Sequence, residues 1–316
     1  MIARAATIDI AIPDITPYRA GNTGIEYVTS FDSGRPGPHV VVNALTHGNE
    51  ICGAVALDFL FRSGVRPACG RLTLSFANVT AYVAFNPDNP NATRFIDEDF
   101  NRVWNHAALS GPRHSLELAR ARVLRPLYES ADLLLDIHSM QQPSAALMLT
   151  GLLDKSVELA RRVGVPDILV RDAGHADGTR LRDYGAFGLA DRPATALLVE
   201  CGQHWQRASG EVAIETTLRF LDAAGILAPD DAARLPARRD ASQRVITVTE
   251  AVIVASDSFH FVADYRGLET IPEGGTLIAR DGSREIRTPY DDCILIMPSR
   301  RLMRGQTAVR LGRIER

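Results

Sequence analysis

The chain has 316 residues, 46% hydrophobic and 23% charged, the balance of an ordinary globular protein with one large domain, or a large one and a small one. A formal charge of −3 gives no electrostatic reason to expect nucleic acid or an anionic membrane as partner. Cys52, Cys69, Cys201 and Cys293 are scattered without a CxxC, which excludes a disulfide framework and a cysteine zinc site.

Residues 5–12 and 25–31 read as strands separated by a Pro/Gly-rich turn segment. Val40-Val41-Val42 reads as a strand buried on both faces. It breaks at His47-Gly48-Asn49-Glu50 and continues from Ile51 as an apolar stretch that reads as a helix. Arg71 to Ala77 alternates as a strand. Residues 86–104 are turn formers and charges with little periodicity, and a loop this long in a compact domain is functional or disordered. The embedded Phe95, Ile96, Phe100 and Trp104 argue against disorder.

Residues 115–129 predict a helix with Leu116, Ala119, Val123, Leu124 and Leu127 on one face. Leu133 to Ser139 reads as a second buried strand, residues 145–149 as a short one, and residues 154–163 as a helix stopped by Gly164 and Pro166. Thr195 to Gly202 is a third buried strand with Glu200 at its carboxyl end. Ser209 suits the N-cap of a helix with Ala213, Thr217, Phe220 and Leu221 inward, ending at Gly225. This alternation predicts an α/β fold, a mostly parallel central sheet with helices on both faces, over residues 1–230. A polar linker follows. Short strands at 245–254, 259–265, 276–279, 293–297 and 307–311 then predict a small all-β domain over residues 240–316. No apolar run reaches membrane-spanning length and the N-terminus lacks a leader's apolar core, so a cytoplasmic protein is expected.

A strand that ends in a tight turn and opens a helix puts the turn at the carboxyl edge of the sheet, where open α/β folds bind ligands. His47 and Glu50 are three apart and can aim at one point from the first helical turn. Alone, this pair is weak evidence, because a glutamate at a helix start also complements the helix dipole. Two further strands, however, end in His138 and Glu200 at the same edge. Two histidines and one glutamate are the ligand set of a hydrolytic zinc with a position left for water. Such a metal lowers the pKa of its water to about 7 and polarises a carbonyl. The remaining acid, Glu200, can take the water's proton and pass it to the leaving nitrogen. Asp136, two residues before His138, can accept a hydrogen bond from the second ring nitrogen of a ligand histidine, with His47 the expected donor; otherwise it caps a neighbouring turn.

The 86–104 loop adds Arg94 and Arg102 around an acidic cluster, with Asn101 beside Arg102. A fixed guanidinium near the metal stabilises an oxyanion, and another can clamp a carboxylate. From composition alone, a solvated charged loop with internal salt bridges is the better reading. The absence of a GxSxG elbow and of a GxGxxG after any strand speaks against a serine hydrolase and a dinucleotide enzyme.

His47-Gly48-Asn49-Glu50, Thr93-Arg94-Phe95-Ile96-Asp97-Glu98-Asp99-Phe100-Asn101-Arg102, Asp136-Ile137-His138 and Val199-Glu200-Cys201-Gly202 occur in that order. Together they resemble the signature of the succinylglutamate desuccinylase/aspartoacylase family, which is similar to zinc carboxypeptidases. The resemblance implies His47, Glu50 and His138 as ligands of one Zn2+ per chain and Glu200 as general base and acid. It implies Arg94 as carbonyl or oxyanion stabiliser, and Asn101 and Arg102 as the clamp on a substrate carboxylate. It also implies that the C-terminal β domain caps the active-site mouth and sends a tyrosine to the substrate, with Tyr290 the candidate. For a second carboxylate, Gly178 to Tyr184 offers Arg180, Arg182 and Tyr184, with Arg182 the candidate, although the spacing departs from the family pattern. The β domain has no lysine, and His204 and Trp205 follow Glu200, so N-acetylaspartate and succinylglutamate are not assigned as substrates; His204 is read as structural.

The expected function is a zinc-dependent amidohydrolase that deacylates a small, carboxylate-bearing N-acyl amino acid, with homo-oligomerisation left open. A carboxypeptidase or peptide amidase, or an esterase, would use the same site. A non-catalytic carboxylate-binding protein ranks last, because no ligand and no acid is missing.

Overall fold

Val40, Val41 and Val42 are fully buried because their strand lies between two apolar layers. In the computed structural model, residues 7–174, 178–237, 242–300 and 302–315 are described. The strands are β1 (Val28–Asp32), β2 (His39–Ala44), β3 (Arg71–Phe76), β4 (Leu133–Met140), β5 (Leu147–Leu149), β6 (Ile168–Arg171) and β7 (Thr195–Gln203). After them come β8 (Arg244–Ile253), β9 (His260–Phe261), β10 (Glu269–Ile271), β11 (Leu277–Asp281), β12 (Arg284–Arg287), β13 (Cys293–Ile296) and β14 (Thr307–Ile314). The helices are α1 (Cys52–Arg62), α2 (Val79–Val83), α3 (His106–Ser110), α4 (Leu116–Glu129), α5 (Asp154–Val163), α6 (Arg207–Ala223) and α7 (Pro229–Ala232).

An 11-stranded mixed sheet runs in the order β1-β3-β2-β4-β7-β5-β6-β8-β14-β13-β10, and β12-β11-β9 form a separate antiparallel sheet. Strands β3, β2, β4 and β7 are mutually parallel neighbours. Strand periodicity sends Val40, Val42, Leu135, Ile137, Leu197 and Val199 toward α1, α5 and α6. Val41, Leu134 and Ala196 point the other way, toward α4 and Trp104. The sheet is therefore covered on both faces, as the run of valines required.

Strands after residue 240 build a core of their own around Phe259, Ile278, Leu295 and Val309. Their backbone is nevertheless continuous with the central sheet, because β8 pairs in parallel with β6. A cluster containing Leu149, Leu198, Ile246 and Ile296 fills the junction. Of the polar segment expected as a linker, residues 230–232 belong to the short helix α7, and residues 238–240 lie outside the described residues.

Four local readings change. Residues 7–12 are not a strand; Asp9 and Ile10 both donate their N–H to Trp205 O, so no ladder forms. Helix α4 buries Glu117, Leu118, Ala121, Leu124 and Tyr128, while Leu116 and Val123 are about half exposed. The face is rotated because Glu117 is needed inside, as described below. Helix α6 starts two residues before Ser209, whose Oγ donates to Gln206 O within the first turn. Strands β6, β10 and β12 were not anticipated. Among the described residues no helix is long and apolar enough to cross a membrane.

Candidate active site

The parallel neighbours β2, β4 and β7 bring three distant segments to one edge. Their register sets Asn43 beside Asp136 and His138 beside Glu200. Beyond β2 the backbone turns sharply, with buried Leu45 at φ 61°. A left-handed conformation at a leucine is strained and is held here by its surroundings. Gly48 then passes so close to α2 that a Cβ there would lie 2.3 Å from the Ala81 carbonyl carbon. Only glycine fits, and the turn delivers His47 and Glu50 side by side.

Ligating atoms of His47, Glu50 and His138 lie within 4.8 Å of one another, and all three residues are buried. His47 Nδ1 is 2.7 Å from Glu50 Oε1, and His138 Nδ1 is 2.9 Å from Glu50 Oε2. The second nitrogen of each ring is claimed by a different carboxylate. His138 Nε2 lies 2.8 Å from Asp136 Oδ2, whereas His47 Nε2 lies 2.9 Å from Asp99 Oδ1. This corrects the expected partner of Asp136: it braces the histidine of its own strand. The reason is the two-residue strand period, which sets Asp136 and His138 on one face. Asp136 is itself fixed by Asn43 Nδ2 and Thr46 Oγ1, both donating to Oδ1 at 2.8 Å. Asp99 had no signal separating it from Asp97 and Glu98.

The electrostatics are those of a cation site. Burial alone would raise Glu50, yet His47 and His138 hold its carboxyl well below the usual range. Burial likewise opposes the His138 imidazolium, yet Asp136 and Glu50 hold it well above the usual histidine range. A buried cluster that attracts positive charge this strongly, with two nitrogens and a carboxylate as donors, can bind a divalent ion. Glu200 is pushed the opposite way, up to about 8, first by burial and then by the Glu50 charge. Its Oε2 is buried without a hydrogen-bond partner.

The 86–104 loop is ordered by one residue that sequence reading missed. Glu117, buried on α4, accepts the backbone N–H groups of Ile96 (2.7 Å), Asp97 (3.0 Å) and Glu98 (3.3 Å). Its carboxylate does for this loop what an N-cap does for a helix. Arg94 is thereby placed at the cluster, with NH1 2.9 Å from Glu50 Oε1 and NH2 3.3 Å from Asp99 Oδ2. Asn101 Oδ1 accepts the Leu181 N–H at 2.9 Å, joining this loop to the 178–184 segment.

A cavity of about 660 Å³ opens over the cluster. Its walls include Arg94, Asn101, Arg102, Arg180, Glu200 and His204, with Met297, Met303 and Arg310 contributed by the C-terminal strands and their loops. Two expected substrate contacts lie outside these walls. Arg182 is buried, with NH1 on Asp183 Oδ1 at 2.7 Å and NH2 on Thr150 O at 2.7 Å. Tyr290 packs on the C-terminal core with its hydroxyl 2.6 Å from Thr249 Oγ1. Arg180 stands where Arg182 was expected: it lines the cavity, is buried, and its NH2 has no hydrogen-bond partner. Arg180 is still extended, whereas Arg182 lies inside the 3-10 turn Leu181–Asp183, so the two side chains leave the backbone in different directions.

A covered α/β sheet thus carries, at its carboxyl edge, a His-Glu-His cluster that could hold a metal ion beside a carboxyl with one unpartnered oxygen. Residues 36–170 match the family model described as the succinylglutamate desuccinylase/aspartoacylase catalytic domain. A curated relative, succinylglutamate desuccinylase of Pseudoalteromonas atlantica, is 22% identical over 296 residues, covering 85% of this chain and 79% of its own. The solved succinylglutamate desuccinylase of Vibrio parahaemolyticus superimposes with TM-score 0.66 at 16% identity, covering 92% of this chain and 87% of that one. The product-bound ectoine utilization protein of Ruegeria pomeroyi gives TM-score 0.62 at 17% identity, covering 92% of both chains. The chain thus matches that family's catalytic-domain model over residues 36–170 and shares the fold of these solved relatives over most of its length.

Proposed function

We propose that the protein is a zinc-dependent amidohydrolase that deacylates a small N-acyl amino acid. The observation that carries this reading is the pairing of the buried His47-Glu50-His138 cluster with Glu200, a carboxyl whose Oε2 faces no protein partner. The donor set fits zinc: each histidine has its Nε2 fixed by a carboxylate, which turns Nδ1 toward the shared centre. When bound there, the ion supplies a Lewis acid and a more acidic water.

The chain's own residues do the rest. Glu200, pushed to about 8 by burial and the Glu50 charge, exchanges a proton near neutral pH, taking it from the attacking water and giving it to the leaving nitrogen. Arg94, anchored by Glu50 and Asp99, offers a fixed positive charge to the carbonyl oxygen as it gains charge. Asn101, Arg102 and the NH2 of Arg180 hold substrate carboxylates. In this reading Arg180 replaces Arg182, and Tyr290 has no part.

The test is amine release from a panel of N-acetyl, N-formyl and N-succinyl amino acids by zinc-loaded protein, with Glu200→Gln as control. Release from at least one member, abolished in the variant, supports the reading. Silence across the panel with zinc bound at one per chain sinks it in favour of peptides or esters.

A further inference from the structure

Ser139 and His204, neighbours at the edge of the cluster, contain a group the reaction above does not use. His204 is 3% exposed, and its ring lines the cavity with Glu50, Arg94 and Glu200. Its Nδ1 lies 2.8 Å from Ser139 Oγ. Ser139 is held in place from below, its N–H donating to Glu50 Oε2 at 3.1 Å. Among the described residues that hydroxyl has no other hydrogen bond, and Nε2 of His204 has none at all.

The proton count then fixes the tautomer. The hydroxyl of Ser139, 4% exposed, carries one proton, and leaving it undonated forfeits a hydrogen bond. If Nδ1 carried the ring proton, the Ser139 proton would have no acceptor. With Ser139 O–H donating to Nδ1, both are satisfied, and the ring's single proton sits on Nε2. Burial holds His204 far below the usual histidine range, to about 4, so the ring is uncharged near pH 7. The cavity is thus offered a neutral N–H donor, distinct from the arginines that suit carboxylates.

We propose that His204, held in one tautomer by Ser139, is a specificity-determining residue that donates from Nε2 to an uncharged oxygen of the substrate, an amide carbonyl or a hydroxyl. This rests on the deacylase reading. A neutral donor matches such an oxygen without a charge to desolvate, and a substrate lacking the acceptor leaves a buried N–H unpaired. Ser139 is a positioning residue in this arrangement.

The experiment has two arms. The first is imidazole ¹⁵N NMR on unaltered zinc-loaded protein, where the expected signature is a neutral ring protonated at Nε2. A ring protonated at Nδ1 overturns the proposal, and this arm holds even if a variant fails to fold. The second is kinetics on the members of the acyl amino acid panel that are hydrolysed. His204→Phe is expected to lose about tenfold in kcat/KM, mostly through KM, with zinc content unchanged. His204→Gln, which keeps an N–H donor, is expected to recover most of that loss. Equal losses in both variants, or none in His204→Phe, overturn the proposal while leaving the deacylase reading standing. Silence of the unaltered protein across the whole panel is the failure of that reading, and the role of His204 falls with it.

Discussion

The two sides of the cavity are built to different standards of rigidity. On the cluster side the histidines and the arginine loop are braced: Asp136 and Asp99 hold the histidines, Asn43 and Thr46 hold Asp136, and Glu117 holds the loop that carries Arg94. On the C-terminal side the wall includes Met297 and Met303, the latter 61% exposed. Chemistry needs fixed geometry, and networks of satisfied buried hydrogen bonds supply it. Methionine adapts to what it contacts, so that wall suits selection among substrates. The difference teaches that one cavity can join a braced polar floor to an adaptable apolar wall.

Glu200→Gln tests the rigid side hardest. It is expected to lower kcat by about 10²–10⁴-fold while zinc content, measured by elemental analysis, stays at one per chain. Metal lost along with activity would mean that Glu200 belongs to the cluster itself.

Acid titration probes the same side through stability. His204 stays neutral in the fold down to about 4, against an ordinary value of 6.5. Between those values the unfolded chain binds a proton that the folded one refuses, so stability falls as pH drops through this window. The loss attributable to this group is up to about 3 kcal/mol, and stability should be retained above 6.5. Denaturant midpoints measured at pH 7.5 and 4.5 for the unaltered chain and His204→Phe check this: the variant should show the smaller drop.

Asp99→Ala and Asp136→Ala should each weaken zinc binding by about 10–100-fold, read by competition with a chelator. If Asp136→Ala alone weakens it, Asp99 does not brace His47 in the loaded protein.

Arg180→Met and Arg182→Met separate wall from scaffold. Arg180→Met should raise KM for carboxylate-bearing substrates about tenfold. Arg182→Met should leave KM unchanged and cost roughly 2 kcal/mol of stability, because Thr150 O loses its buried donor. Tyr290→Phe closes the series. Losing one hydrogen bond to Thr249 at a half-exposed position, it should change stability by under about 1 kcal/mol and leave kcat/KM unaltered.

Among the residues of this chain, those legible in advance share one property. His47, Glu50, His138 and Glu200 each end or follow a strand of unbroken apolar residues, so position along the chain implied position in space. Local pattern also sufficed to read β3, by its alternation, and the helix over residues 154–163. Asp99, Glu117, Arg180 and the Ser139–His204 pair were not legible, because each acts through a partner far away in sequence or through the side of a loop it faces. Glu117 looks like a surface residue of α4 until the 96–98 backbone arrives above it, and Arg180 and Arg182 are distinguished only by which side of the segment meets the cavity. Sequence alone determined which residues could carry metal and proton chemistry, since strand periodicity and motif spacing are local. Tertiary structure alone decided which carboxylate braces which histidine and which arginine lines the cavity, since hydrogen bonds act over about 3 Å and depend on register and loop path.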